Sequence, residues 1–208
     1  MNELFNFLSP NNLILIVIAL TSLIGITLFL ERLFVLRKAE VDTNRLLLQL
    51  RKAIEGGHMV EALNICETTK GTVANIIKAG LGKHARGREE IESAMEIQGL
   101  VEIAYLEKNA KILSIIATIA PLIGLLGTVL GFIQAFSQMR LSGLVDISAS
   151  KVGEAMEFAL ITTAAGLVVA IPAILAYNYI VSLIEGFVLE IQTTSSEVVD
   201  LLVFRHEI

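Results

Sequence analysis

Two threonines lie inside long apolar stretches of the chain, where a polar side chain could do chemistry. Thr128 belongs to "PLIGLLGTVLG", and Thr163 belongs to "ALITTAAGL". In apolar surroundings a hydroxyl can exchange hydrogen bonds with an ion, a water molecule or a partner's carboxylate. It can also simply bond the carbonyl of the preceding helical turn. Residue type alone leaves both roles open.

Two carboxylates stand just before the apolar stretch that contains Thr163. They belong to Glu154 and Glu157. A carboxylate at the edge of a membrane is a candidate for handling ions or protons. The alternative is a solvated helix end in an external loop. We include Glu157 with Thr128 and Thr163 among the candidate residues of an ion pathway.

Small residues recur at spacings of three and four in both stretches and predict closely packed helix faces. In lipid, helices associate by van der Waals contact, and small side chains let the backbones approach. A proline is tolerated within such a helix because neighbouring groups satisfy the freed backbone. The predicted packing or pore face comprises Ala120, Pro121, Gly124, Gly127, Gly131, Ala159, Gly166 and Ala170.

The elements that position these residues are stretches without any charged residue or histidine, at 4–30, 112–139 and 158–184. A bilayer core about 30 Å thick is crossed by ~20 helical residues, each rising about 1.5 Å. A buried helix of a soluble protein usually has a shorter apolar run. The first stretch lacks the basic flank and small-residue cleavage site of a signal peptide, which predicts a membrane anchor. We therefore predict an all-α integral membrane protein with three transmembrane helices.

Positive charge predicts the topology. Of the sixteen Lys and Arg residues, thirteen lie between Arg32 and Lys111. Short basic loops stay in the cytoplasm, which predicts an external N-terminus and an internal C-terminus. The predicted segments are an external tail with the first transmembrane helix (1–30), a cytoplasmic helical segment (31–111), the second transmembrane helix (112–139), a periplasmic loop (140–157), the third transmembrane helix (158–184) and a cytoplasmic C-terminal helix (185–208).

Apolar residues at helical spacing predict several cytoplasmic helices. One begins at Asp42 or Thr43 and stops at Gly56-Gly57, two shorter ones follow, and a long one runs from Arg88 without a breaker into the second span. Two transmembrane helices therefore extend into a cytoplasmic helical bundle. The stripes predicted to pack there are Ile91, Met95, Leu100, Ile103 and Leu106 on one helix, and Phe187, Ile191, Val198 and Leu202 on the other.

Several classes of site are not supported. Cys66 is the only cysteine, so no intrachain disulfide can form, and the three histidines are too far apart in sequence to suggest a metal site. The common signatures of nucleotidases, serine hydrolases and zinc proteases are missing. No basic patch alternates with aromatic residues, as nucleic-acid binding would require. We expect no metal, no cofactor, no enzymatic activity and no nucleic-acid partner.

The two membrane motifs and the segment between them resemble the MotA/TolQ/ExbB proton-channel family, closest to its ExbB and TolQ branch. "ATIAPLIGLLGTVLGFIQAF" and "FALITTAAGLVVAIPAILAYN" look like the family's paired signature. The cytoplasmic "GGHMVEALNICETTKGTVANIIKAGL" resembles the same branch. The likeness covers nearly the whole chain, in the family's order, with the same three spans and external N-terminus.

The resemblance implies a homo-pentamer in the bacterial inner membrane, surrounding two copies of a single-span ExbD/TolR-like partner. An aspartate in the partner's membrane span would take up and release the proton, and a TonB-like or Tol-Pal-like protein would use the resulting movement. Thr128 falls on the family's second-span pore threonine and Thr163 on its third-span pore threonine. The small-residue faces would line the pore and the contacts between subunits.

One position departs from the family pattern, and several functional alternatives stay open. The family often has a glutamate five residues before the second threonine of the "TT" pair, where this chain has Phe158, so that role does not transfer directly to Glu157. The main alternative function is a non-conducting scaffold of an envelope complex. Three spans argue against the MotA branch. The choice between ExbB-like uptake and TolQ-like envelope maintenance, and between protons and sodium, stays open.

Overall fold

The computed structural model describes residues 10–39, 42–142 and 149–206, and every regular element in these ranges is an α-helix. The predicted all-α class is confirmed. Residues 4–9 of the first predicted span and 143–148 of the predicted loop lie outside the described residues. The seven helices of the described ranges are α1 (Pro10–Ala39), α2 (Thr43–Glu55), α3 (Met59–Thr68), α4 (Thr72–Leu81), α5 (Arg88–Glu107), α6 (Ala110–Ser142) and α7 (Ala149–His206).

Three long helices, α1, α6 and α7, carry stretches long and apolar enough to cross a membrane. This agrees with the three predicted transmembrane helices. Pro121 lies within α6 and Pro172 within α7, and both helices continue past their prolines. Helix α6 extends to Ser142 and α7 begins at Ala149, so both continue into the segment that the sequence assigns to an external loop.

The helix predicted to run without a break from Arg88 into the second span is interrupted. Helix α5 ends at Glu107, and α6 begins at Ala110. Between them, Asn109 has a φ of 65°, in the left-handed region that asparagine tolerates better than most residues. A residue in that conformation cannot continue a right-handed helix. The prediction of an uninterrupted helix was therefore wrong at this point.

The described residues form two compact units. One comprises the described parts of Met1–Leu30 and Asn109–Tyr179, and the other those of Glu31–Lys108 and Ile180–Ile208. We call them the span unit and the bundle unit. Because α1 and α7 are long, each contributes residues to both units.

The bundle unit is built from short helices with recognisable ends around one apolar core. The Asp42 carboxylate accepts a hydrogen bond of 3.1 Å from the backbone N–H of Arg45 and so caps α2, which begins within the predicted pair Asp42 or Thr43. Gly57, just after α2, has a φ of 87°, which glycine adopts without strain. The fully buried side chains of the core include Leu50, Ile54, Ala62, Ile77, Leu81 and Val198. Burying one large aliphatic side chain contributes roughly 1.5–3 kcal/mol.

Most residues of the two predicted stripes lie in or against this core. The buried ones are Ile91, Met95, Leu106, Ile191, Val198 and Leu202. Ile103 and Phe187 are half-buried. Leu100 is 63% exposed, so its assignment to the packed stripe was wrong. Helical spacing placed Leu100 near the stripe, but the adjacent Gly99 is the buried residue, facing Ile76 and Ile191 at ordinary contact distance.

One charge is buried in the bundle unit, and it is paired. Arg32 is 3% exposed, and its Nη2 lies 2.6 Å from Oε1 of Glu31. Its Nη1 also donates to the carbonyl of Tyr105, in the last turn of α5, at 3.3 Å. Carbonyls at the C-terminal end of a helix carry partial negative charge, which favours a cation there. Arg32 thus ties the C-terminal third of α1 to the end of α5.

Cys66 lies in α3 with its side chain in the bundle core. Burial raises the pKa of the Cys66 thiol to about 11, although the nearby Lys78 ammonium opposes this increase. A buried thiol of this kind packs as a small apolar side chain. Its contribution to stability is complete below pH 9, the ordinary thiol pKa, and is lost as the pH rises towards 11.

We expect the Cys66 thiol to react slowly with Ellman's reagent at pH 8 in the folded protein. The rate should rise with a midpoint near pH 11, and after unfolding in SDS with a midpoint near the ordinary value of 9. As the only cysteine, Cys66 accounts for the whole signal. A midpoint near 9 in the folded protein would contradict the buried position.

Candidate functional site

Helices α6 and α7 pack against each other in antiparallel orientation through small residues. Gly131 lies against Ala159, whereas Gly124 lies against Gly166, so advancing along α6 moves backwards along α7. A methyl group added at Gly166 would lie 2.7 Å from the carbonyl oxygen of Ala120, which places the two backbones in contact. We call this contact the α6–α7 seam. Its members are Ala120, Gly124, Gly127 and Gly131 of α6 and Ala159, Thr162, Thr163 and Gly166 of α7.

Thr162 occupies one edge of the seam and is completely buried. It fills the space above Gly127, where an added methyl group would lie 2.5 Å from the Cβ of Thr162. Its hydroxyl donates to the carbonyl of Ala159 at 2.9 Å. The side chain is therefore held in one orientation by its own helix, while its hydroxyl oxygen and Cβ lie closest to Gly127 of the other.

Thr163 makes the hydrogen bond that joins the two helices. Its hydroxyl donates to the backbone carbonyl of Gly124 at 3.1 Å, and its side chain is half-buried. This bond forms because Gly124 has no side chain to separate the backbones: a methyl group there would lie 3.1 Å from the Cα of Thr163. The seam therefore holds one of the two predicted pathway threonines directly.

Thr128 is half-buried and bonds within its own helix. Its hydroxyl donates to the carbonyl of Leu125 at 2.6 Å, which is the simpler of the two roles considered for it. On ideal helices Thr128 is rotated by about 40° from Gly124, and Thr163 by about 60° in the same sense from Gly166. In antiparallel helices, rotations of equal sense fall on the same edge of the contact. Both predicted threonines therefore lie along the edge opposite Thr162.

The other predicted face residues lie in the seam or beside it. Ala120, Gly124, Gly127, Gly131, Ala159, Gly166 and Ala170 are all buried, and Pro121 is half-buried. The faces are thus occupied by α6–α7 packing within one chain. The resemblance implied that these residues line a pore and contacts between subunits. Within the described residues, the four glycines of the set lie against α6 or α7 backbone and side chains of the same chain.

The two glutamates lie away from the seam. Glu154 and Glu157 are exposed, in the first turns of α7. Glu157 is nine residues before Gly166, which is about 180° around an ideal helix. It therefore projects from the face opposite α6, and the structure does not bring it together with Thr128 or Thr163. Phe158, at the position of the family glutamate, is half-buried.

The sequence reasoning passed over Thr162, although a signal was available. Thr162 is three residues after Ala159 and four before Gly166, and so shares their helix face. The pair of adjacent threonines was considered only through its second member. Of the two, Thr162 is the more deeply buried, and Thr163 reaches the other helix.

The seam offers hydrogen-bonding groups in an otherwise apolar region. No side chain within 112–139 or 158–184 carries a charge, so a titrating group for proton transfer would have to come from elsewhere. Among the described residues, no three His, Cys, Asp or Glu side chains come close enough to hold a metal ion. Hydroxyls in this setting can guide an ion or a protonated carboxylate.

Comparison with known proteins gives this arrangement a context. Residues 68–193, which include the seam, match the model of the MotA/TolQ/ExbB proton channel family. A protein of Methanothermobacter thermautotrophicus named as an ExbB homolog in biopolymer transport is 32% identical over 169 residues, which are 81% of this chain and 59% of that protein.

Two further relatives come from bacteria. The biopolymer transport protein ExbB of Pseudomonas putida is 28% identical over 203 residues, 93% of this chain and 60% of that protein. The Tol-Pal system protein TolQ of Haemophilus influenzae is 44% identical over 85 residues, 41% of this chain and 36% of that protein. The chain spans less than two thirds of the length of each of these three relatives.

The seam predicts a specific size complementarity. We expect Gly127→Ala to lower the free energy of unfolding by about 1–3 kcal/mol, because its methyl group would overlap Thr162. Adding Thr162→Ala should recover part of this loss, because it removes the overlapping atoms. The measurement is SDS-induced unfolding followed by circular dichroism, analysed as a double-mutant cycle.

Gly153→Ala is the matched control, since a methyl group there meets nothing within 4 Å. It should leave stability unchanged or raise it slightly, because alanine favours a helix over glycine. Strict additivity of the two seam substitutions would show that Gly127 and Thr162 do not pack together.

Proposed function

Because this chain belongs to the MotA/TolQ/ExbB proton channel family, whose relatives named above serve transport and Tol-Pal systems, we propose that it is the ring-forming subunit of an ion-driven membrane motor. Five copies would surround a single-span partner of the ExbD/TolR type. An aspartate in the span of that partner would carry the proton. Movement of the partner would energise transport or maintenance across the cell envelope.

The observation that carries this proposal is the edge of the seam formed by Thr128 and Thr163. Two hydroxyls lie along one edge of a contact whose other members are glycines, alanines and the buried Thr162. Each makes one neutral hydrogen bond to a backbone carbonyl, and each retains lone pairs that can accept another. A protonated aspartate moving past this edge would find acceptors there, and an ionised one would find a donor when a hydroxyl turns away from its backbone carbonyl.

The lack of charge in the α6 and α7 spans supports a division of labour between two proteins. A channel subunit with no ionisable residue at membrane depth needs a carrier from a partner. A carboxylate crossing a wall of aliphatic side chains alone would be strongly disfavoured. The hydroxyls of Thr128 and Thr163 would lower that barrier without trapping the ion, because their bonds are weaker than those of a charged partner.

The pentamer would use surfaces other than the seam. Because the small-residue faces of α6 and α7 are filled by each other, subunit contacts would fall on their outer faces. Large apolar side chains are exposed there, including Leu122, Phe136, Leu160, Val168 and Leu175. Those outside the subunit contacts would face lipid, as expected of a multi-pass membrane protein.

We further propose that the chain is inserted with its N-terminus outside and its basic segment in the cytoplasm. The positive charges between α1 and α6 support this orientation. In a bacterium the membrane would be the inner membrane; the relative from Methanothermobacter thermautotrophicus is archaeal. Protons are the favoured ion because the family is one of proton channels.

The test is proton flux into vesicles that contain this chain and an ExbD/TolR-like partner, followed with a pH-sensitive dye. We expect Thr163→Val to lower the flux about fivefold or more, since it removes a hydrogen-bonding group worth about 1 kcal/mol without changing side-chain size. Replacing the partner's membrane aspartate by asparagine should abolish the flux. Thr163→Ser should retain most of it.

Thr118→Val is the matched control. Thr118 is an exposed threonine of α6 that bonds the Ser114 carbonyl and lies off the seam, so its loss should leave the flux unchanged. Flux that is equal in all variants, or that persists without the partner aspartate, would refute the conducting mechanism. The scaffold alternative makes that prediction, with assembly lost only when Gly127→Leu or Gly166→Leu separates the helices.

A further inference from the structure

The joint between α5 and α6 consists of Lys108 and Asn109, where the backbone leaves the helical conformation. Lys108 has a ψ of 136°, and Asn109 has a φ of 65°. The sequence around them, "VEIAYLEKNAKILSI", contains neither glycine nor proline. Local sequence alone therefore favours a continuous helix, and the joint needs a contact from elsewhere in the structure to hold it.

The joint changes the hydrogen bonding of the last turn of α5. In a continuous helix the carbonyl of Tyr105 would accept from the N–H of Asn109, four residues later. Because ψ of Lys108 sets the direction of that N–H, the bond is lost at the joint. The Tyr105 carbonyl accepts instead from the N–H of Lys108 and from Nη1 of Arg32, each at 3.3 Å. Arg32 thus supplies a donor where the break has removed one.

Arg32 interacts more favourably with the broken helix than with a continuous one. Its side chain is 3% exposed, so its donors need acceptors within the protein. The Glu31 carboxylate accepts from Nε and Nη2, at 3.3 and 2.6 Å. Carbonyls at a helix end lack helical donors and carry partial negative charge, whereas those inside a helix are already paired. A group that interacts differently with two backbone states can select between them.

We propose that Arg32 is a positioning residue that keeps the α5–α6 joint broken, and that without this contact residues 88–142 form one continuous helix. The joint is then a conformational device with two states. Because Arg32 belongs to α1, a displacement of α1 that withdraws the guanidinium from Tyr105 converts the broken state into the continuous one. The inference rests on these contacts alone and does not depend on the proposed function.

The first test measures the backbone of Asn109 directly. Lys108–Asn109 is the only Lys–Asn pair in the chain. Protein labelled with ¹³C at the lysine carbonyls and with ¹⁵N and ¹³C in asparagine therefore gives one carbonyl-filtered signal, that of Asn109. Solid-state NMR in phosphatidylcholine vesicles then measures φ. We expect φ near 65° in the unchanged protein and near the helical value of about −63° in Arg32→Met.

Two variants separate this effect from a general loss of charge. Arg32→Lys retains a cationic donor and should keep at least part of the population at positive φ. Arg37→Met removes an exposed cation of the same helix and should leave φ unchanged. A positive φ that persists in Arg32→Met would overturn the proposal, because Asn109 would then hold the joint without Arg32. A helical φ in the unchanged protein would overturn it as well.

The second test uses the sign of a stability change. Asn109→Ala should lower the equilibrium constant for folding about threefold or more, because alanine tolerates the left-handed region less well than asparagine. In the Arg32→Met background the same change should raise it, by up to about threefold, because alanine favours a helix over asparagine. SDS-induced unfolding followed by circular dichroism gives the double-mutant cycle. Equal effects of Asn109→Ala in both backgrounds would show that Arg32 does not control the joint.

Glu31→Gln keeps both tests usable if Arg32→Met fails to fold. The Glu31 side chain is 42% exposed, so this milder change mainly removes the carboxylate that orients the guanidinium. We expect a second Asn109 population with helical φ and a smaller penalty for Asn109→Ala. A single population near 65° with an unchanged penalty would contradict the role of Arg32. None of these measurements needs the partner or an ion gradient, so their outcome is independent of the flux test.

Discussion

The close contact of two helix backbones at the α6–α7 seam is the constraint on which the rest of the span unit depends. In water, two apolar helix faces would be driven together by the hydrophobic effect. In a bilayer the lipid tails are as apolar as leucine, so association depends on van der Waals contact and interhelical hydrogen bonds. Gly124 and Gly166 supply that contact by removing every atom that could hold the backbones apart. Each glycine weakens its own helix by about 1 kcal/mol in water, an intrinsic cost that the seam contacts offset in the folded protein.

The same contact determines what the hydroxyls can do. Thr163 reaches the Gly124 carbonyl only because the helices are so near. Thr162, one residue earlier, is rotated by about 100° to the other edge and is fully buried there. Of two adjacent threonines, one therefore packs and the other is left at an accessible edge with Thr128. A seam that fixes α6 on α7 this tightly keeps both hydroxyls in position, which the proposed function requires of a wall that a partner moves past.

Sequence patterns were sufficient to predict features that depend on the lipid bilayer or on the local geometry of a helix. The long uncharged stretches indicated three candidate spans, and Asp42 marked the beginning of α2 because its carboxylate caps a helix start. Sequence patterns were insufficient for features that depend on which other part of the structure lies against a residue. The break at Asn109 carries no glycine or proline signal, although asparagine is a residue that tolerates the left-handed region. Spacing identified the small-residue faces, but periodicity describes one helix at a time and cannot say whether the facing helix belongs to the same chain.

The position of Glu157 shows how strictly a helix enforces such geometry. A carboxylate at residue 158 would be rotated by about 40° from Thr162 and so would lie beside the seam. Glu157 is rotated by about 140° from Thr162. Sliding a helix by one residue to correct this would displace every glycine of the seam by about 100° and insert side chains where backbones now touch. The seam therefore resists any compensation for Phe158. The α6–α7 seam edge of this chain is lined by hydroxyls without a carboxylate, and the charge that the proposed function requires must come from the partner.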